Sequence, residues 1–160
     1  MAARDRVELA RLSAELAANL ASLDELLSSL GAWTSREATE QEVLIPAALL
    51  HHAYTGIETM LARLAMGLEG SEPAGPDSHR RLLALAGLEV KGVRPAWFDA
   101  DQLEVLRELL GFRHLFRHGY GAKYRAVRLR ELAQMTVSQW PSLRQALDRA
   151  RGLVQRLADE

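Results

Sequence analysis

Two histidines, two arginines and a tyrosine crowd the stretch Phe112-Arg113-His114-Leu115-Phe116-Arg117-His118-Gly119-Tyr120. Imidazole titrates near neutral pH and can take or return a proton there. Guanidinium meets phosphate oxygens through paired donors and stabilises the negative charge that grows in a phosphoryl transition state. Together these groups suit metal-free cleavage of RNA. A base activates the ribose 2′-hydroxyl, fixed cations hold the phosphorane, and an acid protonates the leaving 5′-oxygen. Two other readings use the same residues. His114 and His118, at i and i+4, can both reach one metal ion. That site needs a third ligand, for which Glu58 and His79 are the candidates, and Arg113 and Arg117 would repel a cation; no metal is assigned. The plainest reading is a helix C-terminus whose dipole favours cationic side chains.

The spacing adds a constraint. On a helix turning about 100° per residue, Val105, Leu109, Phe112, Leu115 and Phe116 gather on a core-facing arc. Arg113, Arg117 and Tyr120 form a second arc, and His114 with His118 a third. The last two make one polar face directed away from the core. Arg113 and His118 diverge by about 140° on a straight helix, so one copy is a poor match for one phosphate. Two copies across a two-fold axis would build a composite cleft, which predicts a homodimer.

The chain that carries this stretch has 160 residues, 48% hydrophobic, rich in Leu and Ala and without cysteine. It is long enough for one domain, residues 1–160, with its own core. The composition favours helix over strand, and the missing cysteines exclude disulfides, thiolate nucleophiles and Cys-ligated zinc. Net charge is −1, yet residues 113–130 hold Arg113, Arg117, Lys123, Arg125, Arg128 and Arg130 and no acidic residue. A neutral protein with one basic patch can bind a polyanion at one place; a solvated helix end is the bland alternative. No apolar run is long enough to span a bilayer and the N-terminal segment does not read as a signal peptide, so a cytoplasmic protein with no membrane association is expected.

The positioning elements read as helices. Leu9, Leu12, Leu16, Leu20, Leu23, Leu27 and Leu30 form a stripe at helical spacing, and Gly31 is expected to end it. Thr34-Ser35 would cap a second helix near Glu37 and Glu40, in which Pro46 predicts a kink or break. Beyond it Leu50, Ala53, Ile57, Met60, Leu61, Leu64 and Leu68 form a buried face, while His51, Tyr54 and Glu58 share a polar line. That line suits either support of a site or a network between helices. Residues 70–76 are a turn-rich linker. Asp77-Ser78 opens a short helix that Gly87 ends, and Asp99 with Gln102 resembles a capping pair for a fourth helix over 100–118, stopped by Gly119 and Gly121. Residues 122–137 read as a loop or frayed turn. Pro141 then suits the first turn of a last helix with Leu143, Ala146, Ala150, Val154 and Leu157 inward. The sum is an all-α, antiparallel helical bundle of about five helices.

Arg113-x4-His118-x-Tyr120 resembles the R-x4-H-x-Y signature of HepT-type proteins in the HEPN superfamily, with His114 in a slot that is usually polar there. Residues 50–58 resemble the HepT helix preceding the catalytic one, and 77–83 have a similar look, so the likeness spans about residues 45–125. It implies a HEPN-like bundle acting as a metal-independent endoribonuclease toxin, without cofactor, and as a homodimer with both motifs at the interface. It also implies a nucleotidyltransferase (MNT-type) antitoxin that transfers AMP to the motif tyrosine. By position, Arg113 and His118 would be catalytic and Tyr120 the AMPylation site. His114 and Arg117 would contact phosphate, and His51, Tyr54 and Glu58 would support the site from the neighbouring helix. Either His114 or His118 can serve as the base. The alternative is a non-catalytic HEPN-type partner, or substrate-binding subunit, of a nucleotidyltransferase.

Overall fold

A computed structural model describes residues 3–36, 42–118 and 125–160. Five helices contain most of them: α1 (Ala3–Thr34), α2 (Leu44–Glu69), α3 (Ser78–Ala86), α4 (Ala100–His118) and α5 (Ala126–Asp159). The architecture is the expected all-α bundle, and among the described residues the only strand-like pairing is an isolated bridge between Val90 and Arg94.

In α1, Leu16, Leu20, Leu23, Leu27 and Leu30 are all buried, as their spacing requires. The helix nevertheless runs past Gly31. Trp33, one turn beyond Leu30, is buried as well, with the Arg130 guanidinium 5.0 Å over its ring. Thr34 Oγ1 and Ser35 Oγ donate to the Gly31 carbonyl at 2.7 and 3.1 Å, and Arg130 donates to the carbonyls of Thr34 and Arg36. Thr34-Ser35 therefore finish α1 rather than cap α2; Glu37 and Glu40 lie outside the described residues. Because α2 opens at Leu44, Pro46 falls in its first turn, where a backbone N–H has no intrahelical partner. The proline is buried there and does not interrupt the helix. At the far end Gly70 takes the left-handed conformation (φ 73°) and its N–H closes on Met66 O, a geometry open to glycine at little cost.

Asp77 precedes α3 without making a side-chain cap. The connection to α4 folds around Arg94, which is 5% exposed. Its guanidinium bonds Glu69 Oε1 at 2.6 Å and the carbonyls of Leu88 and Leu85, and lies over the Trp97 ring. The expected capping pair starts α4: Gln102 N donates to Asp99 Oδ1 at 2.8 Å and Asp99 N to Gln102 Oε1 at 3.0 Å. Gln102 Nε2 also reaches Ser142 Oγ at 2.7 Å, tying α4 to α5.

The last helix departs most from expectation. It begins at Ala126, so Pro141 lies well inside it rather than in its first turn. An interior proline removes one hydrogen bond and costs about 3 kcal/mol. Burial on both sides of it offsets that cost: Leu129, Ala133, Thr136 and Trp140 before it, Leu143, Ala146, Leu147, Ala150 and Val154 after it. Trp140 Nε1 and Arg144 Nε both donate to Asp24 of α1 at 2.9 Å, which fixes the register where the proline sits.

These cross-contacts show the chain direction. Arg130 meets Thr34 while Arg144 meets Asp24, so α5 is antiparallel to α1. Gly56 lies against Leu23 while Gly67 lies against Leu12, so α2 is too. One buried cluster takes residues from all five helices. The end of α1, start of α2, end of α4 and start of α5 consequently share one end of the bundle. Leu44, Ile45, Leu115 and Val127 expose apolar surface at that end. Leu115 was expected in the core; at 48% exposed it is not. No described helix is long and apolar enough to cross a membrane.

Candidate active site

The polar line of α2 and the last turns of α4 meet. His51 stacks on Phe116 with ring centroids 4.7 Å apart, and Glu58, two turns further along α2, faces Arg113. Glu58 Oε1 lies 3.5 Å from Arg113 Nη2, with both side chains close to nine-tenths buried. The prediction that Arg113 belongs to an outward polar face is therefore wrong. A helix projection ranks arginine as outward because an unpaired charge does not enter a core; the carboxylate of Glu58 supplies the pair. From α3, His79 Nδ1 comes within 2.9 Å of Glu58 Oε2, so Glu58 stands between a motif arginine and a half-exposed histidine. Among the described residues no group of three or more His, Cys, Asp or Glu could hold a metal ion.

Tyr54 is fully buried. Burial, then the charge of Glu58, pushes its phenol well above the usual tyrosine range; Arg113 opposes this and a hydrogen bond to Glu58 adds to it. It stays a neutral donor beside the carboxylate. His51 is pushed the other way. Burial lowers its pKa first, and the neighbouring charges of His52, Arg113 and Arg117 lower it further, so at neutral pH its ring is uncharged. All three residues of the α2 line thus bear on the last turns of α4.

His114 and His118 remain outward and exposed, their rings 4.6 Å apart. Arg117 is exposed beside them. The α4 end therefore has two sides: Arg113 turned inward on Glu58, and His114, Arg117 and His118 turned to solvent. Tyr120, with Gly119, Gly121 and Lys123, lies outside the described residues. The basic segment is partly used up in structure: Arg128 pairs with Glu131 at 2.7 Å and Arg130 closes α1. Arg117 and Arg125 stay exposed.

Among the described residues, four buried side-chain polar atoms have no hydrogen-bond partner: Trp33 Nε1, His51 Nδ1, Glu58 Oε2 and Arg113 Nε. The last three belong to this one cluster. The close approach of His79 to Glu58 Oε2 lacks hydrogen-bond alignment. Buried polar atoms are normally satisfied, so three in one cluster call for a functional or structural reason. Sequence reasoning found His51, Tyr54 and Glu58 but not the inward turn of Arg113, nor the place of His79 behind Glu58. The signal available was the polar line on α2, which needs a partner if buried.

The family profile described as HepT-like protein matches residues 46–153, from the first turn of α2 to near the end of α5. No curated protein matches the chain, and no solved structure matches it. The matched region holds the α2 polar line, His79 and the whole of the Arg113–Tyr120 motif, and by that match the chain belongs to the HepT-like family of the HEPN superfamily.

Proposed function

We propose that this protein is a metal-independent endoribonuclease, the toxin of a toxin–antitoxin pair, working as a homodimer. The observation that carries the reading is the cluster at the α2–α4 crossing: a buried arginine with an unpartnered Nε, on the same two turns as two exposed histidines. A neutral histidine, His118 or His114, takes the 2′-hydroxyl proton. The 2′-oxygen attacks phosphorus, and Arg113 stabilises the phosphorane charge. The P–O5′ bond breaks as a protonated imidazole gives its proton to the 5′-oxygen, leaving a 2′,3′-cyclic phosphate and a 5′-hydroxyl. Arg117 supplies a further phosphate contact.

Arg113 points at α2 while His118 faces solvent, so one protomer does not present both to one phosphate. The exposed Leu44, Ile45, Leu115 and Val127 at this end suit a two-fold contact that would bring a second set of histidines to the cleft. Cleaved RNA should carry cyclic phosphate ends by mass spectrometry; 3′-hydroxyl ends would refute the step written above. The antitoxin is proposed to be an MNT-type nucleotidyltransferase that adds AMP to Tyr120. An adenylate there places a phosphate and a base next to the cationic groups and blocks RNA by charge and bulk. Intact-mass and peptide analysis after co-expression should find AMP on Tyr120, and an adduct elsewhere contradicts the proposal.

A second reading draws on the Arg113–Glu58 pair itself. An arginine neutralised in the core also suits a non-catalytic helical partner of a nucleotidyltransferase. Tight binding to such an enzyme with no RNA cleavage under any condition would support it.

A further inference from the structure

Behind the cluster runs a groove of about 430 Å³ between α2, α3 and the linker, lined among others by Glu58, Arg63, Glu72 and His79. It gives solvent access to His79, whose side chain is 41% exposed, and ends on Glu58, whose side chain is 12% exposed. Arg113 sits on the other oxygen of the same carboxylate. From this arrangement we propose that His79 is a positioning residue for Arg113, acting through Glu58 from α3: its protonation state decides how much of the arginine's charge is left for a phosphate. This rests on the ribonuclease reading for its consequence, though not for the coupling itself.

The reasoning is electrostatic. One carboxylate serves two cations. With His79 neutral, Glu58 is opposed by Arg113 alone and the pair carries no net charge. An arriving phosphate must then compete with Glu58 for the guanidinium. With His79 protonated, a second positive charge stands 2.9 Å from Oε2 and the trio carries one net positive charge. Attraction between Glu58 and Arg113 is then shared, and the guanidinium becomes a better phosphate donor. Oε2 accepts no hydrogen bond of good geometry, so it has a lone pair ready for a protonated imidazole. The other charged groups facing His79 do not cancel this. Arg63 of α2 is engaged by Glu15 and Asn19 of α1, Glu72 of the linker lines the groove with an opposite charge, and Tyr54 beside Glu58 is neutral. Arg80 and Arg81, on α3 itself, are exposed. His51 and His52 lie about two turns back along α2 from Glu58, and His114, Arg117 and His118 belong to α4 with Arg113.

The test uses an RNA oligonucleotide with 2′-O-methyl riboses, which binds but lacks the attacking hydroxyl. Its Kd is measured by fluorescence anisotropy from pH 5.5 to 8.5 for the wild-type protein, His79→Gln and His79→Lys. At the alkaline end wild type and His79→Gln should bind equally. On acidification wild type should gain about two- to fivefold over His79→Gln, the size of a partly exposed charge coupling. His79→Lys, charged throughout, should hold the tighter affinity across the range. Parallel curves for all three proteins overturn the proposal. A second measurement needs no RNA. The Arg113 Nε–Hε signal in a ¹H–¹⁵N spectrum should shift with the titration of His79 in wild type and stay fixed in His79→Gln; an unmoved signal in wild type also overturns it. Wild-type protein that binds no RNA yet shows the NMR coupling would sink the ribonuclease reading and leave the His79–Glu58–Arg113 coupling standing.

Discussion

At the scale of single residues, the main finding is that Arg113 is a buried cation, and its behaviour follows from Glu58. Removing one member of a buried pair leaves the other charge without compensation and costs about 3 kcal/mol at the lower end of such cases. Glu58→Ala should therefore lose roughly that much stability in urea unfolding; a loss below about 0.5 kcal/mol, the range of surface substitutions, would mean the pair is not holding the helices. His51 gives a pH prediction. Its pKa is lowered from 6.5 in the folded chain by burial and by the cations around it, so the unfolded chain binds the proton more readily. Stability from this group is fully present above 6.5 and drains away as pH falls through the lower folded value. His51→Phe keeps the stacking on Phe116 and removes the proton. Between pH 7 and 5 the variant should lose less stability than wild type; equal losses would show that His51 carries no such linkage.

At the scale of elements, the site depends on where α4 starts and what it crosses. Asp99 and Gln102 were legible as a cap from their spacing alone, and they form it. Asp99→Ala should lower stability by about 1 kcal/mol, read as a shift in Tm, and a Tm equal to wild type would contradict that role. The α1 stripe, the buried face of α2 and the bounds of α3 and α4 were legible for the same reason: local periodicity and punctuation encode them. The misreadings came where distant packing outweighs a local signal. Gly31 reads as a stop, yet Trp33 and Arg130 carry α1 onward. Pro141 reads as a start, yet Trp140, Arg144 and Asp24 hold a helix across it. Pro46 reads as a break because the preceding residues suggested an earlier helix start. For the candidate site, residue types and spacing pointed to the right segment and to the right line on α2. They could not show Arg113 turning inward, since that depends on a carboxylate 55 positions earlier in the chain coming beside it.

At the scale of the molecule, the antiparallel order collects the α4 histidines, the exposed Leu44, Ile45, Leu115 and Val127, and the exposed Arg117 and Arg125 at one end. If that end is the dimer contact, a charge placed on its exposed apolar surface should break the dimer without unfolding the protomer. Leu115→Glu and Val127→Glu, both at exposed positions, should each run as monomers in light scattering and lose RNA cleavage together with dimerisation. A monomeric variant that cleaves at the wild-type rate would remove the composite cleft from the mechanism. The central claim, ribonuclease chemistry carried by the α4 motif without a metal, is tested most directly by incubating RNA with purified protein in excess EDTA. Wild type should cleave it, and His118→Ala should be at least about 100-fold slower, the usual contribution of a general acid or base. Cleavage by His118→Ala at the wild-type rate, or none by wild type unless a metal is added, would contradict the account.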